Sequence, residues 1–210
     1  MDGLKSASVG VWVNVGTRNE TAENNGVAHL LEHLVFKGAG TRNATQIAED
    51  ADSLGVYLNA ATSYEKTGFY ARCLEDETAF ALNLCADLVL EPKLDQNDIG
   101  LEKNVVLSEI KEAYDDAEDR ASVLNQSASF KNQPLGRPIL GDENSLMAIT
   151  PSQIAEFHRQ YKNPNNIIVA ISGAFELEQI IDTVNSRFGK LKPAASLEID
   201  IANSTAGIEF

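Results

Sequence analysis

Ala28-His29-Leu30-Leu31-Glu32-His33-Leu34 sets two histidines four positions apart, with a glutamate beside the second. On an α-helix, positions i, i+3 and i+4 share a face. His29, Glu32 and His33 therefore project together, while Leu30, Leu31 and Leu34 turn toward a core. Imidazoles one turn apart can both reach one ion, and zinc accepts imidazole readily. A glutamate between them can serve as a proton acceptor for water at the ion instead of a ligand. The competing reading is a pair of satisfied core histidines on a Leu-rich helix. The chain has only 3 histidines, and two of them fall on this spacing, which favours the metal.

Flanking this stretch, Ser6 to Gly16 alternates and is rich in valine, which predicts a strand. Thr17 to Asn25 is polar and reads as a loop. The motif helix is expected from Gly26 to Phe36, ended by Lys37-Gly38-Ala39-Gly40. Asn43 suits the cap of a helix to Leu54, closed by Gly55. Val56 to Ser63 and Thr67 to Leu74 read as a hairpin turning at Tyr64-Glu65-Lys66. Helices follow at Glu75 to Leu90 and Asp95 to Asp116. The second carries Ile99, Val105, Val106, Ile110 and Ala113 on its apolar side. Helix resumes to about Lys131, past an acidic run at Asp115 to Asp119 that reads as a solvated face.

Gln133 to Asp142 is a Pro- and Gly-rich loop. Pro151 to Tyr161 is helical, Ile167 to Gly173 a buried strand, and Glu176 to Phe188 helical. Hairpins with inserted helix pairs, not regular βαβ alternation, predict an α+β fold with a largely antiparallel sheet and helices packed on one face.

Composition narrows the function. Net charge is −14, which argues against nucleic-acid binding, whose phosphates need basic patches. No apolar run reaches membrane-spanning length, and the start has no basic-then-apolar signal region. Cys73 and Cys85 sit in apolar patterns without metal-site spacing, so buried free thiols are expected.

A catalytic zinc takes three protein ligands and keeps one position open. His158 has ordinary helical neighbours and reads as structural. The long acidic helix is the better source, but periodicity leaves Glu102, Glu109 and Glu112 open.

Several motifs then carry a resemblance. Asn25-Gly26-Val27-Ala28-His29 runs through Phe36-Lys37-Gly38. Leu58-Asn59-Ala60-Ala61-Thr62-Ser63-Tyr64-Glu65-Lys66-Thr67 forms the hairpin. Glu102-Lys103-Asn104-Val105-Val106-Leu107-Ser108-Glu109 and Pro134-Leu135-Gly136-Arg137-Pro138-Ile139-Leu140-Gly141 follow. In this order they resemble the M16 zinc peptidases, whose signature reverses the commoner His-Glu-x-x-His order. The processing-peptidase branch is the most similar. The resemblance implies the M16, LuxS-like domain fold and hydrolysis of extended peptides with Zn²⁺.

It further implies that Glu109, 76 positions beyond His33 (109 − 33), is the third ligand beside His29 and His33. Glu32 would be the general base, Glu102 the buried carboxylate that orients the site, and Asn59, Ala60 and Ala61 the edge strand that receives substrate.

The family's subunit has two similar halves. Residues 1–193 are expected to be the first, catalytic half, and 194–210 a linker-like tail toward a second M16 domain or subunit, in a homo- or heterodimer. A bacterial cytoplasm or the mitochondrial matrix is the expected compartment. The processing branch reads substrate arginine with two acids; the corresponding positions here are Asp119 and Val123. A non-catalytic subunit of the same fold is the competing expectation.

Overall fold

The computed structural model describes residues 3–195 and 201–204. Of the expected tail, residues 196–200 and 205–210 lie outside the described residues.

The alternating valines of the first strand set the centre of the fold. β1, Ser6–Val13, pairs antiparallel on both sides. Its neighbours are β5, Thr67–Leu74, and β6, Ile167–Gly173. β4, Tyr57–Thr62, pairs with β5 and lies at one edge. The sheet order is β4-β5-β1-β6, antiparallel throughout. Because side chains alternate across a strand, Val9, Val11 and Val13 share one face with Phe69, Ala71 and Cys73, and all are buried. Trp12 points to the opposite face and lies across Gly68, where a Cβ would meet its ring at 2.2 Å.

Helices cover the valine face. α1, Val27–Val35, comes first, and α2, Ala44–Ser53, is capped by the Asn43 side chain, which accepts from the Gln46 amide. α3, Thr78–Leu90, is buried on nearly every side between β1, β5 and α8, Leu177–Phe188. α4, Gln96–Asp115, starts at the Asp95 cap and stops at Asp116. Asp116 in turn caps α5, Ala117–Ser129, so one member of the acidic run has a structural task. α7, Pro151–Arg159, is capped by Thr150. The α+β fold with helices on one face is thus observed.

Several local expectations are corrected. The first strand ends at Val13, not Gly16, because the chain leaves the sheet to enter the loop before α1. Ile167 to Gly173 is an edge strand with Ile168 53% exposed, not a buried one. Val105 is 44% exposed, whereas Val106 is fully buried. The short pair β2, Gly38–Ala39, with β3, Arg42–Asn43, and the helix α6, Glu143–Ala148, have no counterpart among the expected elements. Cys73 and Cys85 are buried and free, and burial pushes the Cys85 thiol up to about 12. No helix among the described residues is long and apolar enough to cross a membrane.

Candidate metal centre

α1 places its chemistry by packing its other side. Val27, Leu30, Leu31, Leu34 and Val35 are buried, which leaves His29, Glu32 and His33 on the remaining face. Truncating Leu31 to Ala would cost about 2–5 kcal/mol and loosen that orientation. α4 lies against α1. Its buried positions Glu102 and Val106 and the half-buried Glu109 follow i, i+4 and i+7, one helical face. The fully buried Val106 anchors α4 between the two glutamates, so both carboxylates meet α1.

The histidine rings lie 4.7 Å apart at an interplanar angle of 68°. Glu109 Oε2 is 3.7 Å from His29 Nε2 and 3.4 Å from His33 Nε2. Among the described residues, this is the one trio of such side chains whose donor atoms all fall within 4.8 Å. Donors around a tetrahedral zinc, each about 2.0–2.1 Å from it, sit roughly 3.3–3.4 Å apart. The trio is therefore gathered near ligand spacing, too far apart for good mutual hydrogen bonds. Glu112, the third alternative left open by periodicity, is exposed.

Two further observations fit a metal. Burial, reinforced by the neighbouring His33, lowers the His29 pKa to about 4, so its imidazole is neutral at pH 7, as coordination requires. On the other ring, His33 Nδ1 faces Glu102 Oε2 at 3.2 Å. A proton held there leaves the Nε2 lone pair directed at the cluster. Glu102 is 4% exposed and takes Lys37 Nζ on its other oxygen at 2.8 Å, so its charge is paired. The role of Lys37 went unread in the sequence, although it stands in a quoted motif.

His158 is placed elsewhere, buried with Nε2 2.8 Å from the Val89 carbonyl. Glu32 and His29 open onto a cavity of about 760 Å³. Ala60 and Ala61 of β4 form one wall, and Asp119 and Val123 of α5 another. Asn59 does not line the cavity; its Oδ1 accepts from the Ala60 amide at 2.9 Å. Glu20, read only as part of a polar loop, is buried at the start of α1. Burial raises its pKa to about 7 against the opposing hydrogen bonds from Ala28, Asn25 and Gly26.

The family model described as "Insulinase (Peptidase family M16)" matches residues 2–143. The chain belongs to peptidase family M16. A model described as "Peptidase M16 inactive domain" matches residues 148–206. An uncharacterized zinc protease of Mycobacterium leprae is 41% identical over 89% of this chain and 42% of its own length. A probable mitochondrial-processing peptidase subunit beta of Arabidopsis thaliana is 32% identical over 96% of this chain and 38% of its own length. The chain thus spans about two-fifths of the length of these relatives.

Among solved structures, pitrilysin superposes with a TM-score of 0.82 at 25% identity, covering 97% of this chain and 22% of that one. A protease from Helicobacter pylori gives 0.85 at 24% identity, covering 97% and 50%, and shares the fold. Zinc is the metal of this family, and its general activity is proteolysis.

Proposed function

We propose that this chain carries the catalytic zinc centre of an M16 endopeptidase acting on extended or unstructured peptides. His29, His33 and Glu109 hold the ion, Glu102 orients His33, and Glu32 is the general base. The convergence of two imidazoles and one carboxylate from α1 and α4 carries this reading.

Zinc, when bound, polarises the scissile carbonyl and lowers the pKa of water toward neutrality. The residues do the rest. Glu32 is half-buried beside the cavity, where its carboxylate takes a proton from the attacking water and returns it to the leaving amine. The peptide lies along the edge of β4 at Asn59, Ala60 and Ala61. Pairing to a strand edge is made through backbone groups and so accepts many sequences. A substrate strand displaces the Asn59 side chain from the Ala60 amide to use that donor.

Residues 1–193 are the catalytic domain in this reading, and 194–210 lead toward a second M16 domain or subunit that completes the substrate chamber. The competing role, a non-catalytic assembly partner, gives no reason for the three donor side chains to converge. Glu32→Gln tests the proposal. We expect zinc stoichiometry to persist while cleavage of an unstructured peptide falls about 10²–10⁴-fold. Undiminished cleavage would remove Glu32 from the mechanism.

A further inference from the structure

Of the buried carboxylates outside the metal reading, Asp87 is paired with Arg42 and Arg187, whereas Glu20 lies beside α1. Glu20 lies in the loop between β1 and α1, 4% exposed. Its Oε2 accepts from the Gly26 amide at 3.0 Å and from Asn25 Nδ2 at 2.8 Å. Its Oε1 accepts from the Ala28 amide at 2.8 Å.

The first amides of a helix have no partner within the helix, and a carboxylate there also meets the positive end of the helix dipole. The cap is usually supplied by the N-cap side chain. Here the N-cap is Gly26, at φ 97°, with no side chain to offer. A Cβ at Gly26 would sit 2.8 Å from the Leu140 carbonyl oxygen, so a capping side chain has no room there. The neighbouring asparagines are engaged elsewhere. Asn24 Oδ1 accepts from Thr21, and Asn25 Nδ2 donates to the Pro138 carbonyl as well as to Glu20. Capping of α1 therefore falls to a residue outside the helix.

Glu20 is itself fixed from both sides. Its amide donates to the Thr17 carbonyl, and the Thr17 amide donates to the Ser63 carbonyl next to the end of β4. Arg137 Nη2 donates to the Glu20 carbonyl. Through its carboxylate Glu20 thus holds α1, and through its backbone it is tied toward the β4–β5 turn and to Arg137.

We propose that Glu20 is a positioning residue for the metal centre, capping α1 and so fixing the orientation of His29. This rests on the metal reading given above. His29 is the third residue of α1, within the first turn, where an uncapped helix frays. His33 is a full turn deeper and is braced separately by Glu102. Fraying of α1 through its third residue would release His29 from the helix and remove it from the cluster. Glu20→Gln keeps the shape but turns an amino group toward one of the donor amides, so one hydrogen bond is lost.

The test is a zinc titration of the metal-free whole protein against a chelating dye, with the visible spectrum of the cobalt-substituted form read alongside. Glu20→Gln is expected to weaken zinc about 10–100-fold and to alter the cobalt spectrum. Glu23→Gln, an exposed carboxylate in the same loop, should change neither. Ile180→Ala in α8 should lower Tm with zinc affinity and spectrum kept, so lost stability alone cannot mimic the effect. Wild-type affinity and spectrum in Glu20→Gln would overturn the proposal while leaving the metal reading intact. Should that variant not fold, Glu20→Asp decides by the same readings, since its carboxylate is one methylene short of the Ala28 amide. A wild-type protein that takes no zinc would overturn the metal reading and this proposal together.

Discussion

His158 and the His29–His33 pair are the same side chain in two different settings. Both His29 and His158 sit on helices, and burial depresses both pKa values to about 4. The difference lies in where the nitrogens go. His158 Nε2 meets the Val89 carbonyl, and its ring packs 5.8 Å from that of Tyr161. His29 and His33 instead direct Nε2 at the same carboxylate oxygen, at distances too long for good hydrogen bonds. Low basicity alone does not mark a metal ligand. Convergent open lone pairs do.

Substitutions at the two places should therefore fail in different ways. His33→Ala or Glu109→Ala should abolish stoichiometric zinc binding in elemental analysis of the purified protein. His158→Ala or Glu112→Ala should retain one zinc per chain. His158→Ala should instead lose stability, about 1–3 kcal/mol in denaturant titration, because the Val89 carbonyl is left buried and unpaired. Zinc retained in Glu109→Ala and lost in Glu112→Ala would reverse the ligand assignment. A smaller effect is expected at Glu102, which acts through His33. Glu102→Gln should weaken zinc about 10–100-fold without eliminating it, measured by chelator competition.

A separate prediction concerns acid. His158 has a folded pKa of about 4, below its ordinary 6.5. Between those values the unfolded chain binds the extra proton, so stability rises with pH there. The contribution, about 3 kcal/mol from the size of the shift, is complete above pH 6.5 and is lost as pH falls toward 4. Denaturant titrations of wild type and His158→Gln across that range should differ by this slope; parallel curves would contradict the burial account.

Much of the fold could be read in advance where local chemistry settles it. The Asn43 cap and the Asp95 and Asp116 bounds of α4 follow from local hydrogen bonding, and the structure shows them. The hairpin of β4 and β5 follows from alternation. The errors share a tertiary origin. Val105 and Val106 are indistinguishable in sequence, and only the contact of α4 with α1 selects Val106 for burial. That same contact separates Glu102 and Glu109 from Glu112, which periodicity left open.

β6 presents a run of apolar residues, but its place at an edge depends on which strand takes the other side of β1. α6 spans 6 residues, too few for a periodic pattern, although its Asp142 cap is visible in retrospect. Glu20 escaped notice because its acceptors serve amides 6 and 8 residues away, across a loop with no periodic pattern.

Zinc K-edge X-ray absorption on the purified protein tests the ligand set most directly. The account predicts one zinc per chain, with two imidazole nitrogens at about 2.0–2.1 Å and oxygen completing the shell. A spectrum with sulfur in the shell, with a single imidazole, or with no stoichiometric zinc at all would contradict it.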